Sequence, residues 1–263
     1  MAGYPIWYEL LTPGPADAAP FYKAVLGWDI PAQGAAPPHG AEYRMIYLSD
    51  GSHQGGVLTL RQAMVEGGAR PGWLPYFDVD DVDACCAHAR EMGAHIWMVQ
   101  ETPGVGTMAM LSDPQGAPFY IMKPIPPEGD PDAQSGVFMP DRPGHACWNE
   151  LSTAGAAEQE AFYTALFDWE ISGEMPMPGD HTYRFVSMGD KGIGAIGSMK
   201  PDDMPDAWLV YYRVADIAAA HAAVTDHGGS VVWGPHEVPG DDIILVVRDP
   251  SGAALGLAGR KAA

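Results

Sequence analysis

The chain has 263 residues, 47% of them hydrophobic, so it is long enough for two ordinary domains that bury cores without disulfides or metal. Its 34 acidic and 14 basic side chains give a formal net charge of −20, which disfavours nucleic acid and anionic membranes as partners, because both are bound through Lys and Arg. The chain shows no apolar run of membrane-spanning length and no signal-peptide pattern, so we expect a cytoplasmic protein. Its number of cysteines is odd, so we expect no disulfide framework.

The sequence contains a long internal repeat. Trp7-Tyr8-Glu9-Leu10 and Phe21-Tyr22 return, 141 positions later, as Trp148-Asn149-Glu150-Leu151 and Phe162-Tyr163. A repeat of this length indicates a tandem architecture. Residues that both halves share are expected to serve the fold, whereas residues that differ between the halves are better candidates for a specific site.

The predicted elements of the first half follow one order twice. Apolar residues at strand and helix spacing predict a strand, a helix and three strands, and then the same five elements again. The first set is strand 6–11, helix 16–26 and strands 28–30, 43–48 and 56–60. The second is strand 74–79, helix 82–92, closed by Gly93, and strands 96–99, 107–111 and 119–122.

The second half repeats that order. Its first set is strand 147–151, helix 156–166 and strands 169–171, 183–188 and 193–199. Its second set is strand 208–214, helix 217–227 and strands 231–232, 243–247 and 255–258. Between the halves, a proline-rich segment at 124–143 excludes helix and central strand and favours an extended connector. We therefore expect domain 1 at 1–123 and domain 2 at 144–263.

The four βαβββ units share signature residues. A Phe-Tyr pair precedes a helix end followed by Trp28 or Trp169, and an Asp-Pro-x-Gly turn at 113–116 and 249–252 precedes the last strand of each half. These features resemble the vicinal oxygen chelate superfamily of glyoxalases, bleomycin resistance proteins and extradiol dioxygenases, and Trp-x-Glu-Leu-x-Thr looks like its two-domain glyoxalase-like branch. The resemblance implies an α+β fold in which paired βαβββ modules form a curled mixed sheet around a ligand cavity. It says little about the reaction, because this superfamily supports isomerases, lyases, dioxygenases and plain binders.

The resemblance also implies where metal ligands would stand. Those places fall near Trp7, Tyr47, Leu74 and Tyr120 in one half, and near Trp148, Ser187, Leu209 and Gly256 in the other. A divalent ion needs three or four nitrogen, oxygen or thiolate ligands, and these places do not supply such a set. We therefore expect no metal cofactor, with a metal-dependent glyoxalase or dioxygenase kept as an alternative that would use Glu9 or Glu150.

Glu9 and Glu150 are the strongest catalytic candidates. Glu9 is two residues from Trp7, so both side chains point to one face of the strand. A carboxylate on an apolar sheet is costly unless it is paired, and a buried one suits proton transfer. The competing interpretation is structural, with a buried ion pair between Glu9 and Arg44, repeated between Glu150 and Arg184.

Residues that differ between the halves supply further candidates. Tyr120 corresponds to Gly256, which predicts a roomier floor in the second cavity, and His53 and His145 lack counterparts. A neutral imidazole near a carboxylate suits acid–base chemistry. The predicted catalytic set is thus Glu9, Glu150, Tyr120 and His145. The predicted substrate-binding set is Trp7, Arg44, Tyr47, His53, Trp148, Arg184, Trp233 and Gly256.

The sequence therefore favours an enzyme that performs isomerase- or lyase-type chemistry on a carbonyl or aromatic metabolite in an aromatic-lined cavity. The alternative from another class is a binder that sequesters a small organic molecule, as bleomycin resistance proteins do. We expect a monomer or a homodimer.

Overall fold

The computed structural model describes residues 2–35, 41–130, 133–200 and 205–260. The first half contains β1 (Pro5–Thr12), α1 (Pro15–Leu26), β2 (Tyr43–Tyr47), β3 (His53–Thr59), α2 (Gln62–Glu66), β4 (Gly72–Asp78), α3 (Val82–Glu91), β5 (His95–Thr102), β6 (Gly106–Ser112) and β7 (Pro118–Pro124). The second half contains β8 (Ala146–Ser152), α4 (Ala156–Leu166), β9 (Glu170–Pro176), β10 (Thr182–Met188), β11 (Lys191–Gly197), β12 (Ala207–Arg213), α5 (Ile217–Asp226), β13 (Ser230–Val238), β14 (Asp242–Arg248) and β15 (Ala254–Gly259).

The strands form two mixed sheets. One has seven strands in the order β2-β3-β1-β4-β7-β6-β5, and the other has eight in the order β13-β14-β15-β12-β8-β11-β10-β9. Each module's first strand pairs in parallel with its last strand, as β1 does with β3 and β8 with β11, while the hairpins are antiparallel. The predicted tandem α+β fold of βαβββ modules is confirmed.

One predicted strand is missing in the first module. Residues 28–30 form no strand, and Asp29 makes only an isolated bridge to Tyr47 among the described residues. Pro31 follows directly and has no N–H for a strand ladder, which gives a physical reason for the early end of pairing. The equivalent strand β9 in the third module is complete, and this difference leaves the first sheet one strand shorter.

Two helices begin at aspartate caps, and α1 ends at a glycine. Asp81 and Asp216 accept hydrogen bonds from the first-turn N–H groups of α3 and α5, respectively. Helix α1 ends at Gly27, whose φ of 74° is left-handed and whose N–H reaches the carbonyl of Lys23. Its buried residues recur at helical spacing, so one face of α1 packs into the core.

Contacts divide the chain into two units. Unit 1 comprises Met1–Ile6, Pro75–Ser135 and Trp148–Trp208, and unit 2 comprises Trp7–Leu74, Gly136–Cys147 and Leu209–Ala263. Unit 1 thus holds the second and third modules, and unit 2 holds most of the first and fourth. The domain limits expected from the sequence stay a prediction. Residues 131 and 132 of the expected linker lie outside the described residues, and its described part contains no helix.

Each unit packs around an aromatic cluster of repeat-related residues. In unit 2 the rings of Tyr22, Trp28, Trp73 and Tyr212 lie against one another, with centroids 4.8 Å apart between Trp28 and Tyr212. The corresponding rings in unit 1 are Tyr163, Trp169, Trp208 and Phe77. The repeat-related residues Phe21, Trp28, Phe162 and Trp169 are buried, as are the thiols of Cys85, Cys86 and Cys147, which form no disulfide.

Buried hydrogen bonds fix these clusters. In unit 2, Trp73 Nε1 donates to the Tyr22 hydroxyl at 3.1 Å, and that hydroxyl lies 3.0 Å from Asp249 Oδ2. In unit 1, Trp208, Tyr163 and Asp113 repeat the arrangement at 3.2 and 3.0 Å. Each aspartate belongs to an Asp-Pro-x-Gly turn and also accepts backbone N–H groups of that turn, so these carboxylates serve the fold.

Candidate functional site

A triad of Trp7, Tyr43 and Glu9 lies on one sheet face in unit 2. Trp7 Nε1 donates to the Tyr43 hydroxyl at 2.9 Å, and this hydroxyl is hydrogen-bonded to Glu9. The Glu9 side chain is buried, with 3% of its surface exposed. Burial, together with the charge of Glu9, raises the pKa of Tyr43 well above its usual value. Tyr43 is therefore a neutral donor, which holds the carboxylate in place.

The second half builds the same triad in unit 1. Trp148 Nε1 donates to the Tyr183 hydroxyl at 2.8 Å, and that hydroxyl donates to Glu150 Oε2 at 2.9 Å. Burial first, and then the charge of Glu150, raises the pKa of Tyr183. Glu150 is partly exposed, and Ser152 Oγ lies 3.4 Å from its Oε1. The first triad has Leu11 at the position of Ser152, so the second carboxylate has the more polar surroundings.

The strand opposite each glutamate differs between the triads. Glu9 is paired with Gly56, and the Tyr43 hydroxyl lies so close to Gly56 that a Cβ there would clash with it. Glu150 is paired with Ala195, which already carries a Cβ. In the second triad the glycine is two residues further on, where Gly197 lies beneath the ring of Tyr183. The two halves therefore seat the tyrosine ring on different backbone positions.

The predicted Glu9–Arg44 and Glu150–Arg184 ion pairs are wrong. Arg44 Nε binds Glu42 at 2.9 Å, and Arg184 binds Glu160 at 3.1 Å and Glu174 at 3.9 Å. The reason is strand alternation, because each arginine follows the tyrosine that contacts the glutamate and so points to the opposite face. Neither arginine belongs to the triads.

The predicted open floor at Gly256 is also corrected. A Cβ at Gly256 would overlap the ring of Tyr211, which lies directly over it. In the other half the matching strand residue, Tyr76, stacks on Tyr120 with centroids 4.1 Å apart. A tyrosine covers the floor in both halves. The Tyr211 ring occupies the space that a side chain at position 256 would take, so the glycine does not leave a roomier floor there.

Three further predicted residues, His145, His53 and Trp233, have their described contacts outside the triads. His145 Nδ1 lies 2.8 Å from the carbonyl oxygen of Gly136, and burial lowers its pKa. His53 is exposed and its ring contacts Tyr47. Trp233 is 43% exposed on the terminal strand β13, where it contacts His236. Their assignment to catalysis or substrate binding stays a prediction.

Comparison with known proteins identifies the family of this chain. A profile of the glyoxalase/bleomycin resistance protein/dioxygenase superfamily matches residues 6–121 and again 139–257. The chain belongs to this superfamily. The two matches cover most of both halves, so the repeat seen in the sequence is a repeat of the superfamily's own unit.

Three relatives illustrate the range of this superfamily. Protein CFP32 of Mycobacterium tuberculosis, provisionally named a glyoxylase, is 30% identical over 258 residues, covering 97% of this chain and 94% of its own. Anthracycline biosynthesis protein DnrV of Streptomyces peucetius is 28% identical over 272 residues, covering 97% and 92%. The Mn(II)-bound glyoxalase of Novosphingobium aromaticivorans superposes with a TM-score of 0.66 at 15% identity, covering 99% and 83%, which shows a shared fold alone.

The metal chemistry found in this superfamily does not match the residues present. Across the described parts of the chain, no three His, Cys, Asp or Glu side chains come together as metal ligands. Glu9 and Glu150, the nearest carboxylates to the expected places, are neighboured by a tyrosine hydroxyl that donates to them and a tryptophan N–H that has no lone pair to offer. These donors do not fit a divalent ion. The expected absence of a metal cofactor stays a prediction.

Tyr43 and Tyr183 are the site residues that sequence reasoning missed. Both halves carry a Tyr-Arg pair, in which the arginine belongs to a scarce residue type and the tyrosine does not. The alternation rule contained the missing signal, because only one of two adjacent strand residues can face the glutamate. Trp97, the counterpart of Trp233, is 56% exposed and hydrogen-bonded to Ser112.

Proposed function

We propose that this protein is an enzyme that moves a proton on a carbonyl-containing small molecule, with Glu150 as the acid–base group. The observation that carries the proposal is the second triad, in which a partly exposed carboxylate is held at 2.9 Å by a neutral tyrosine. A fixed carboxylate within reach of a ligand is the arrangement that general base catalysis requires. The superfamily membership of the chain supports a small-molecule substrate.

The proposed step balances without a further reactant. Glu150 takes a proton from the carbon beside the carbonyl, so the C–H bond breaks and its electron pair moves to make an enolate oxygen. Where the carbon that lost its proton carries a hydroxyl group, as in a hemithioacetal, the protonated Glu150 returns the proton to the former carbonyl carbon. The hydroxyl proton moves to the enolate oxygen at the same time, so the carbonyl re-forms on the neighbouring carbon and the isomerisation is complete. Tyr183 keeps the carboxylate in one orientation, because its raised pKa keeps the hydroxyl protonated throughout.

The aromatic surroundings of Glu150 support a flat substrate. Phe185 packs against both Trp148 and Tyr183, with ring centroids 6.1 and 5.7 Å apart. Such rings provide an apolar surface next to a single polar group, which is typical of small-molecule sites. The names of two relatives, a glyoxylase and an anthracycline biosynthesis protein, are consistent with carbonyl compounds and polycyclic aromatic compounds as the classes to test.

Hydrogen–deuterium exchange tests this proposal. The protein is incubated in D₂O with the hemithioacetal of methylglyoxal and glutathione, or with a ketone-bearing anthracycline, and ¹H NMR follows loss of the carbon-bound proton. We expect Glu150→Gln to lower the exchange rate by about 100-fold or more. Glu9→Gln is the matched control and should retain most of the rate, because Glu9 is only 3% exposed. Equal losses in both variants, or no loss in Glu150→Gln, would refute the assignment.

A binder without catalysis is the second candidate. Tyr76, Tyr120, Met110 and Met98 stand opposite one another on four neighbouring strands of unit 1, so they form one apolar row on a sheet face. Such a row suits a flat drug-like compound. Saturable quenching of tryptophan fluorescence by an anthracycline, unchanged in Glu150→Gln and without any proton exchange, would favour this function over the enzyme.

A further inference from the structure

A cleft outside the triads lies beside helix α1 in unit 2. It has a volume of about 280 Å³ and is lined by one face of the helix, by residues 28–30, which include Asp29, and by Ala32 and Arg44. The helix contributes small apolar side chains, including Ala16 and Ala19, and also Lys23, which is ion-paired with Asp29 at 3.1 Å. The cleft therefore combines an apolar wall with the Arg44 guanidinium, and its size suits a ligand with few heavy atoms.

Arg44 is the residue that gives this cleft its chemistry. Its side chain is 6% exposed, Nε donates to Glu42 at 2.9 Å and Nη1 donates to the Pro31 carbonyl at 3.2 Å. A guanidinium carries five N–H donors, so these two hydrogen bonds leave capacity for a further acceptor. A planar, buried guanidinium is well suited to bind a carboxylate.

The second half shows what this position accepts. Arg184, the counterpart of Arg44, is bound by two carboxylates, Glu160 at 3.1 Å and Glu174 at 3.9 Å. Glu160 belongs to α4 and corresponds to Ala19 of α1, a residue that lines the cleft. In the second half a glutamate side chain thus reaches the arginine from the helix, and in the first half the same position ends at a methyl group.

We propose that the cleft at Arg44 binds a small monocarboxylic acid with an apolar body. The carboxylate of the ligand takes the place that the Glu160 carboxylate occupies in the other half, and its apolar part lies along Ala16 and Ala19. This site shares no residue with the proposed acid–base triad, and the proposal does not rest on the proposed function.

Titration with benzoate tests the site, with benzamide as the neutral analogue of the same shape. The full-length protein should bind one equivalent of benzoate with a Kd of about 1 mM by calorimetry, as expected for so small a ligand. Benzamide should bind at least about tenfold more weakly, because it does not carry the charge that pairs with Arg44. Equal affinity for the two compounds would overturn the proposal.

Exchanging Ala19 and Glu160 between the halves provides the sharpest variants. Ala19→Glu should lower benzoate affinity by about tenfold or more, since the new carboxylate would bind Arg44 itself. Glu160→Ala should open the corresponding place at Arg184 and raise the stoichiometry from one benzoate to two. Neither change touches Glu150, so the proton exchange rate of the proposed enzyme should be retained in both variants.

Arg44→Met is the direct test, and its unfolding temperature shows whether the fold survives. If that variant fails to fold, Ala19→Glu still decides the matter, because residue 19 lies on a half-exposed helix face. Benzoate affinity that is unchanged in Ala19→Glu places any observed binding elsewhere and refutes the site.

Discussion

The two halves build one tryptophan–tyrosine–glutamate triad in two environments. Around Glu9 the site is enclosed, because only 3% of the glutamate side chain is exposed and Leu11 follows two residues later. Around Glu150 the site is more open, and Ser152 takes the place of Leu11. The hydrogen-bond pattern is therefore a property of the fold, while access to the carboxylate distinguishes the halves. A residue that both halves share can thus be enclosed in one copy and accessible in the other.

The aspartate positions provide a symmetric reference for this comparison. Asp113 and Asp249 accept hydrogen bonds from Tyr163 and Tyr22 at the same 3.0 Å, and from equivalent backbone N–H groups. Asp113→Ala and Asp249→Ala should each lower the free energy of unfolding by about 3 kcal/mol or more, because several buried donors lose their acceptor. Urea denaturation measures both. A difference above about 1 kcal/mol would show that these positions are not equivalent and would weaken the comparison of the halves.

The residue opposite each glutamate should give the next largest effect. Gly56→Ala should destabilise the protein by about 2–3 kcal/mol, because the new methyl group would displace the Tyr43 hydroxyl and break the triad. The reverse change in the other half, Ala195→Gly, should cost only about 1 kcal/mol through lost burial and added backbone freedom. Thermal and urea unfolding compare the two. Similar losses would mean that the tyrosines are seated alike in both halves.

Removal of the tyrosine hydroxyls tests the difference in solvent access. Tyr43→Phe leaves the partly buried Trp7 N–H without its acceptor and removes the hydroxyl that donates to the buried Glu9, and we expect a loss of about 1–2 kcal/mol. Tyr183→Phe should cost less than about 1 kcal/mol, because water can approach the partly exposed Glu150. Trp7→Phe and Trp148→Phe, which retain the hydroxyls, serve as controls for ring packing. A larger loss in Tyr183→Phe would reverse our assignment of the open site.

Much of the fold could be predicted from the sequence, and the failures have physical causes. The repeat and the apolar periodicity gave the order of modules, because burial of alternate or helical positions leaves a strong pattern. Helix α2 was not predicted because none of its residues is buried, so it leaves no apolar pattern. The strand at 28–30 failed because its apolar residues are core residues beside a proline, not members of a ladder.

The site was harder to predict than the fold. The spacing of Trp7 and Glu9 gave the correct shared face, because that relation lies within one strand. Which residue of β2 faces Glu9 depends on the register between strands, and a shift of one position exchanges Tyr43 for Arg44. The filled floor at Gly256 depends on the position of the Tyr211 ring, which no local pattern encodes.

The smallest effect on stability is expected at the residue that directly precedes the first strand of each triad. This residue is His145 before β8 and Tyr4 before β1. Burial lowers the pKa of His145, so the unfolded chain binds its proton more readily than the folded protein does. This contribution to stability is therefore present above the ordinary histidine pKa of about 6.5 and is lost as the pH falls through the lower folded value.

His145→Asn retains a side-chain N–H for the Gly136 carbonyl but does not titrate in this range. Urea unfolding between about pH 5 and 7.5 should therefore show a steeper loss of stability towards acid in the unmodified protein than in His145→Asn. Identical pH dependence in the two proteins would show that His145 titrates alike in the folded and unfolded states. The exchange of His145 for Tyr4 between the halves would then not affect the pH dependence of stability.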